Sequence, residues 1–250
     1  MKNIFLLLSF SFCLVSLLQA QNPYVELSYP WLNQQQVKAQ KIKSIMLATM
    51  SADNSKVEKQ TMLHFDIAGR LVKETGQVGF VYSASFDFDD AGFLSKYVFN
   101  DGKTEEIIQY RYFPEERKFI RQSAVKTTFN TWDVSETEYI YNEFNRITAI
   151  NEYGGIISTV DLPGNNSLGK SAETQVSRTE KQTTIKSQDG LLTLTYNKDG
   201  QLQLMQNENF AYNISETYEY SYDQNGRLVM IIWSQEGQSN KTFVSYEFYQ

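Results

Sequence analysis

Few residues in this chain have the type and spacing that covalent chemistry needs. His64 is the single histidine. A serine triad or an imidazole metal site would rest on it alone, and its place beside Phe65 on a strand reads as structural or surface. Cys13 is the single cysteine, and it falls inside an apolar leader, so a processed chain has no thiolate to ligate a metal. Asp87-Phe88-Asp89-Asp90-Ala91-Gly92 sets oxygen ligands before a glycine as a calcium loop does. Ala91, however, takes a ligand position, and Val98 stands where the closing Glu belongs. The stretch therefore reads as an Asx-type turn. Glu136 and Glu138 share one strand face, and glycoside hydrolysis uses two acids about 5–10 Å apart; on a strand such acids form a solvated face. There is no glycine-rich phosphate loop and no Gly-x-Ser-x-Gly elbow. The expectation is a non-enzymatic protein with no metal and no cofactor. The residues left for binding are aromatic. Trp132, Trp233 and Tyr220, with Tyr218 and Tyr222 beside Tyr220, could stack on sugar rings or on a partner's apolar surface.

The element that positions these aromatics is a turn, Tyr222-Asp223-Gln224-Asn225-Gly226-Arg227-Leu228. Asp at the first turn position can accept the N–H two residues on, and Gly at the fourth can take positive φ. A type I turn followed by a left-handed residue makes a G1 bulge, a common hairpin closure. This places Tyr222 opposite Leu228, and the expected register continues with Tyr220 opposite Met230 and Tyr218 opposite Ile232. Trp233 then faces away from Tyr218. The same counting puts His64 opposite Val72.

Weaker copies recur. Phe65 to Leu71 carries Asp66 and Gly69, and Phe88 to Leu94 carries Asp89 and Gly92. Tyr112 to Arg117 is degenerate and has lost the glycine. Tyr141 to Ile147 carries Asn142, with Asn145 in the glycine position, and Asn is the next best left-handed residue. Tyr196 to Leu202 carries Asn197 and Gly200, and Asp223 with Gly226 completes the set. The leading aromatics fall at 65, 88, 112, 141, 196, 222 and 248. The interval from 141 to 196 spans close to two periods, so a unit has decayed or been replaced near 155–185. A period of this length, two strands and two turns, predicts an all-β antiparallel meander of hairpins. Such a sheet twists into a curled open sheet, a spiral or a barrel. A short helical turn is expected at Leu32 to Ala39, and strands at Ile42 to Met50 and Val57 to Asp66.

These units resemble the tyrosine-aspartate (YD) repeats of RHS-type proteins: aromatic, Asp or Asn, two variable residues, Gly, Arg, then Leu or Ile. Tyr222 to Leu228 matches throughout, and Phe65 to Leu71 matches with Phe for Tyr. The units at Phe88, Tyr141 and Tyr196 lack Arg, Gly and Arg respectively. The resemblance runs from about Thr61 to the C-terminus, with a gap near 155–185. The chain is also similar to short exported repeat proteins of Bacteroidetes-type bacteria. In large members such repeats build a shell around a toxin domain or contribute to adhesion. The resemblance carries the hairpin over to this chain, and not the enclosure.

Lys2, the apolar run from Ile4 to Leu18 and Leu18-Gln19-Ala20 read as a secretory signal peptide. The expected division is a signal peptide at 1–20, a segment leading into the sheet at 21–55 and the repeat domain at 56–250. The run is short for a membrane span. Without Lys2 the chain carries 22 Lys and Arg against 29 Asp and Glu, a net charge of −7, which argues against nucleic acid and anionic membranes as partners. The expected role is a cell-envelope or surface binding or scaffold module, exported to the periplasm, the outer membrane's vicinity or the medium. Its partner would be a protein or glycan of the envelope. A glycan-binding module and a carrier of a lipid or other apolar ligand are the alternatives; an outer-membrane barrel ranks below them because several strands carry charge on both faces.

Overall fold

The computed structural model describes residues 28–77, 79–103, 105–126, 131–141, 147–158, 169–179 and 181–250. The leader, with Cys13, and the turn holding Asn142 and Asn145 lie outside the described residues. The sheet runs β1 Ile42–Met50, β2 Val57–Phe65, β3 Leu71–Gln77, β4 Val81–Phe88, β5 Leu94–Asn100, β6 Glu105–Phe113, β7 Lys118–Lys126 and β8 Thr131–Tyr141. It continues through β9 Ile147–Ser158, β10 Gly169–Arg178, β11 Gln182–Lys186, β12 Gly190–Tyr196, β13 Leu202–Asn209, β14 Ile214–Tyr222, β15 Leu228–Gln235 and β16 Gln238–Phe248. Each strand pairs antiparallel with the next, and β1 pairs with β16, so the meander closes into a barrel. Of the shapes open to a curled meander, the barrel is the one realised. The seam is made by the segment that precedes the repeats: Ile45 lies against Tyr246, and Thr49 against Thr242.

An up-and-down ring sends alternate connections to opposite ends. The described repeated turns therefore gather at one end, and the other described connections at the opposite end. Four of the turns share one geometry. Asp66 Oδ1 accepts from the Ala68 and Arg70 N–H groups at 2.9 Å each, and the Gly69 N–H donates to the Asp66 carbonyl. Asp223, Asn197 and Asp89 repeat this pattern in whole or part. Gly69 and Gly226 stand at φ +80° and +76°. In the degenerate unit Arg117 takes the left-handed position at φ +50°. The gap in the repeat is filled by the hairpin of β10 and β11, paired over only Gln175–Arg178.

The bulge corrects the expected register. Tyr222 does face Leu228, but the extra residue moves every later pair by one: Tyr220 lies opposite Ile231, and Tyr218 opposite Trp233. Trp233 thus shares the face of Tyr218 rather than opposing it. For the same reason His64 pairs with Lys73, not Val72. The expected register includes the bulge at the turn but does not carry its extra residue along the strands.

The residue after each turn lies in the core. Leu71, Leu94, Ile147, Leu202 and Leu228 are almost wholly buried, as is Phe119 after the degenerate turn. Burying each aliphatic chain contributes roughly 1.5–3 kcal/mol. In the replaced unit Thr183 is the buried counterpart. This apolar layer fills the turn end of the barrel, and a short helix covers it. That helix, α1 (Gln34–Ala39), is N-capped by Asn33 Oδ1, which accepts from the Gln36 N–H. It buries Val37 in the same cluster as Phe65, Leu71 and Phe119. The Gln36 side chain donates to the Gly226 carbonyl at 3.0 Å, and Gln40 to that of Asn225 at 3.2 Å.

The helix sits so close that a Cβ on Gly69 would stand 2.6 Å from the Gln34 carbonyl oxygen and 2.9 Å from the Lys38 nitrogen, whereas one on Gly200 would meet open space. Both alanine variants bear a left-handed penalty of about 1–2 kcal/mol. Gly69→Ala should lose about 1–3 kcal/mol more, because α1 must shift to admit the methyl group. Urea melts of the two variants check this. Equal losses would contradict the docking of α1 on that turn.

Candidate functional site

Above the apolar layer the barrel interior changes character. Its wall is set by strand alternation: the buried residues mark which alternate positions of each strand face inward, and their neighbours face out. Rows of inward side chains run across the strands because paired residues share a face. One row is Tyr110, Arg121, Thr137 and Glu152, paired in turn across β6 to β9. Another is Val176, Ile185, Leu192, Asn207 and Glu216, across β10 to β14. Between them lies a cavity of about 330 Å³, lined by Arg121, Thr137 and Glu152 on one side and by Ile185, Leu192 and Asn207 on the other. Tyr139, Ile150 and Thr174 form its floor, and Ser187 and Gly190 lie toward the irregular end.

Beside the cavity, Glu216 is held by three neutral donors. Asn207 Nδ2 and Trp233 Nε1 each donate at 3.2 Å, and the Tyr218 hydroxyl donates at 3.4 Å. Burial, then the Glu216 charge, pushes the Tyr218 phenol up to about 12, so it stays a donor at neutral pH. Burial likewise raises Tyr139 and Tyr110. Arg121 has one distant acid, Glu106, at 3.9 Å. A third polar group, between β2 and β4, is structural. The Tyr82 ring covers Gly76 across the strand pair, and its hydroxyl donates to the buried Glu74 at 2.9 Å.

The residues expected to bind are placed unevenly. Trp233 enters the lumen as the partner of Glu216. Tyr220 is only 8% exposed and its hydroxyl meets Met205 Sδ, so it packs rather than presents a surface. The backbone of Trp132 pairs with Ile157 in β8, and its side chain lies outside the described residues. Glu216, beside Tyr218, is one of the strand acids that the sequence offers, whereas Arg121, Glu152 and Asn207 are not among the residues it points to. Their signal is strand parity, legible only with the bulges counted.

The remaining candidates sit outside the lumen. Glu136 and Glu138 share the outer face as expected; Glu138 is held below the usual carboxylate range, first by the Asn151 amide and also by Lys118. His64 faces out beside Lys43 and Glu247, and burial and Lys73 lower its pKa. Ser44 pairs with it in register, but the Ser44 hydroxyl donates to Glu247, which also takes Lys43. Among the described residues no hydrogen bond joins Ser44 to His64. Asp89 caps its turn by accepting from the Phe93 N–H. Among the described residues no group of three or more His, Cys, Asp or Glu is placed to hold a metal ion.

No family model matches this chain, and no curated protein does. Solved structures do. A porin-like protein from Bacteroides uniformis overlays with a TM-score of 0.52 at 10% identity, covering 82% of this chain and 98% of that one. At that identity the likeness is one of fold. The TcdB2-TccC3-TEV structure overlays at 0.32 with 18% identity, and the Photorhabdus luminescens Tc holotoxin pore at 0.31 with 18%. In both, about three quarters of this chain lies on a tenth or less of theirs.

The hydrogen bonds at Glu216 yield a stability test. Glu216→Leu leaves three donors unsatisfied inside the barrel and should cost about 1–3 kcal/mol. Glu138→Leu, on the outer face, should cost less, because water replaces the lost acceptor. Denaturant melts that rank the two the other way would contradict the inward placement of Glu216.

Proposed function

We propose that this protein is a non-enzymatic binding module of the bacterial cell envelope or surface, and that its binding element is the lumen. The observation that carries this reading is the chamber itself. Apolar packing and α1 stopper one end, and polar and aromatic side chains line the space above. Such a recess, apolar with a few placed polar groups, is the usual form of a small-ligand site.

The outer face supports a water-facing barrel rather than a lipid-facing one. Arg111, Lys186, Glu219 and Lys241 are exposed and alternate with the inward residues. A Lys or Arg at the bilayer midplane costs about 2–4 kcal/mol. Among the described residues no helix is long and apolar enough to cross a membrane. The leader motif at 1–20 supports export to the periplasm or beyond, and the repeated turn supports kinship with tyrosine-aspartate repeats. The mixed polarity of the chamber disfavours a purely apolar cargo. Trp233 with Glu216 and Asn207 keeps a saccharide as the second reading, since aromatic faces beside amide and carboxylate groups suit one.

A filled chamber tests the reading. Leu192→Trp places an indole in the cavity wall. Native mass spectrometry of protein recovered from its own cells should show a small-molecule adduct on the parent and none on an equally stable Leu192→Trp variant. A bare parent, or the same adduct on both, would overturn the lumen as the binding element.

A further inference from the structure

The cavity lining carries one cation and one anion that do not neutralise each other, with Glu106 and Glu216 beside it on the inner face. Arg121 and Glu152 lie in the same cross-strand row, with Thr137 between them. Both line the cavity. Two strand spacings separate their backbones, roughly 10 Å. Side chains of this length could meet across such a gap, yet the one acid within ion-pair range of Arg121 among the described residues is Glu106, at 3.9 Å. A guanidinium has five donors in a planar fork suited to a carboxylate; Arg121 also donates to the Tyr110 hydroxyl, and its 3.9 Å contact with Glu106 is too long for a hydrogen bond. Glu152 is exposed to the lumen, and no ion pair neutralises it among the described residues. Below the row the floor is apolar at Ile150, and the facing wall is apolar at Ile185 and Leu192.

From this arrangement, and resting on the lumen as the binding element, we infer that the ligand is a short peptide of two or three residues with free termini. Its carboxylate lies on Arg121, its ammonium on Glu152, and its apolar side chains on Ile150, Ile185 and Leu192. The size follows from chain reach. Two extended residues span at most roughly 7 Å and three roughly 10 Å, which matches the row once the two side chains extend inward. Opposite charges held apart in a chamber favour a molecule that bears both. A neutral sugar would leave them unmatched, and a fatty acid would leave Glu152 facing an apolar tail. Unpaired charge of that kind is costly in a partly desolvated site.

The test is calorimetric titration of the leaderless chain with leucyl-leucine, with its N-acetylated and C-amidated forms, and with hexanoate and maltotriose. Leucyl-leucine should bind, and blocking either terminus should weaken binding at least tenfold. Arg121→Gln should weaken leucyl-leucine and erase the effect of amidation. Glu152→Gln should erase the effect of acetylation. Unchanged melting temperatures in both variants separate loss of contact from loss of fold. Leucyl-leucine that fails to bind, or termini that make no difference, would overturn the inference. If hexanoate or maltotriose binds instead and Leu192→Trp abolishes it, the peptide assignment fails while the lumen reading stands. If Leu192→Trp leaves every binding event intact, the lumen reading fails as well.

Discussion

The carboxylate of the turn Asp accepts two backbone N–H groups of its own loop, and this bond sets the rest of the barrel. It fixes a type I turn whose last residue must be left-handed, and that residue creates the bulge. The bulge in turn decides which side chains face inward on the following strand. At Asp66 and Asp223 the second carboxylate oxygen also takes the guanidinium of Arg70 and Arg227, at 2.8 and 2.6 Å. Those arginines are thereby aimed sideways. Arg70 lies over the ring of Phe88 at 4.7 Å, and Arg227 over Phe248 at 5.6 Å, each the leading aromatic of the next unit. Where the arginine is replaced, the same position still reaches its neighbour: Phe93 stacks on Tyr112, and Gln201 donates to the Gly226 carbonyl. Tyrosine hydroxyls add a second link. That of the leading Tyr222 donates to the Leu202 carbonyl, and that of Tyr246, two residues before Phe248, donates to the Leu228 carbonyl. The turn thus shapes a hairpin and also joins it to the next.

A row of such units has two ends, and an open antiparallel edge invites pairing with another chain. This chain resolves the problem within itself. The strand before the repeats joins the last strand, and Tyr249 reinforces the closure by donating its hydroxyl to the Phe65 carbonyl. The same segment supplies α1 as the stopper of the turn end. Closure converts a greasy sheet face into an interior, packed at the turns and hollow above them. The lumen and its charged row exist because the ring is shut.

Much of this architecture is legible in the sequence. The Asp and Gly spacing locates the turns at 66–69, 89–92, 197–200 and 223–226, and their period implies a meander. The degenerate unit at Tyr112 keeps its hairpin because Arg117 accepts a left-handed backbone. The chamber is harder to read. Each bulge inverts strand parity, so a count that omits it points Trp233 away from Tyr218 when the two lie side by side. Closure is also hidden: no local signal in Ile42–Met50 says that its partner is almost two hundred residues away. The charged row depends on both, since Arg121 and Glu152 look like ordinary surface charges until the strands are counted around a closed ring.

Closure at the β1–β16 seam is the claim on which the rest stands. Thr49 and Thr242 pair there with their hydroxyls 2.8 Å apart. In the leaderless chain, which lacks Cys13, the double variant Thr49→Cys, Thr242→Cys contains no other thiol. Non-reducing gels and intact mass measure the outcome of mild oxidation. A shut barrel predicts rapid formation of one intramolecular disulfide, loss of two thiol hydrogens and a raised melting temperature. Thiols that stay free in the folded protein, or that cross-link only between molecules, would mean an open sheet and would remove the chamber with it.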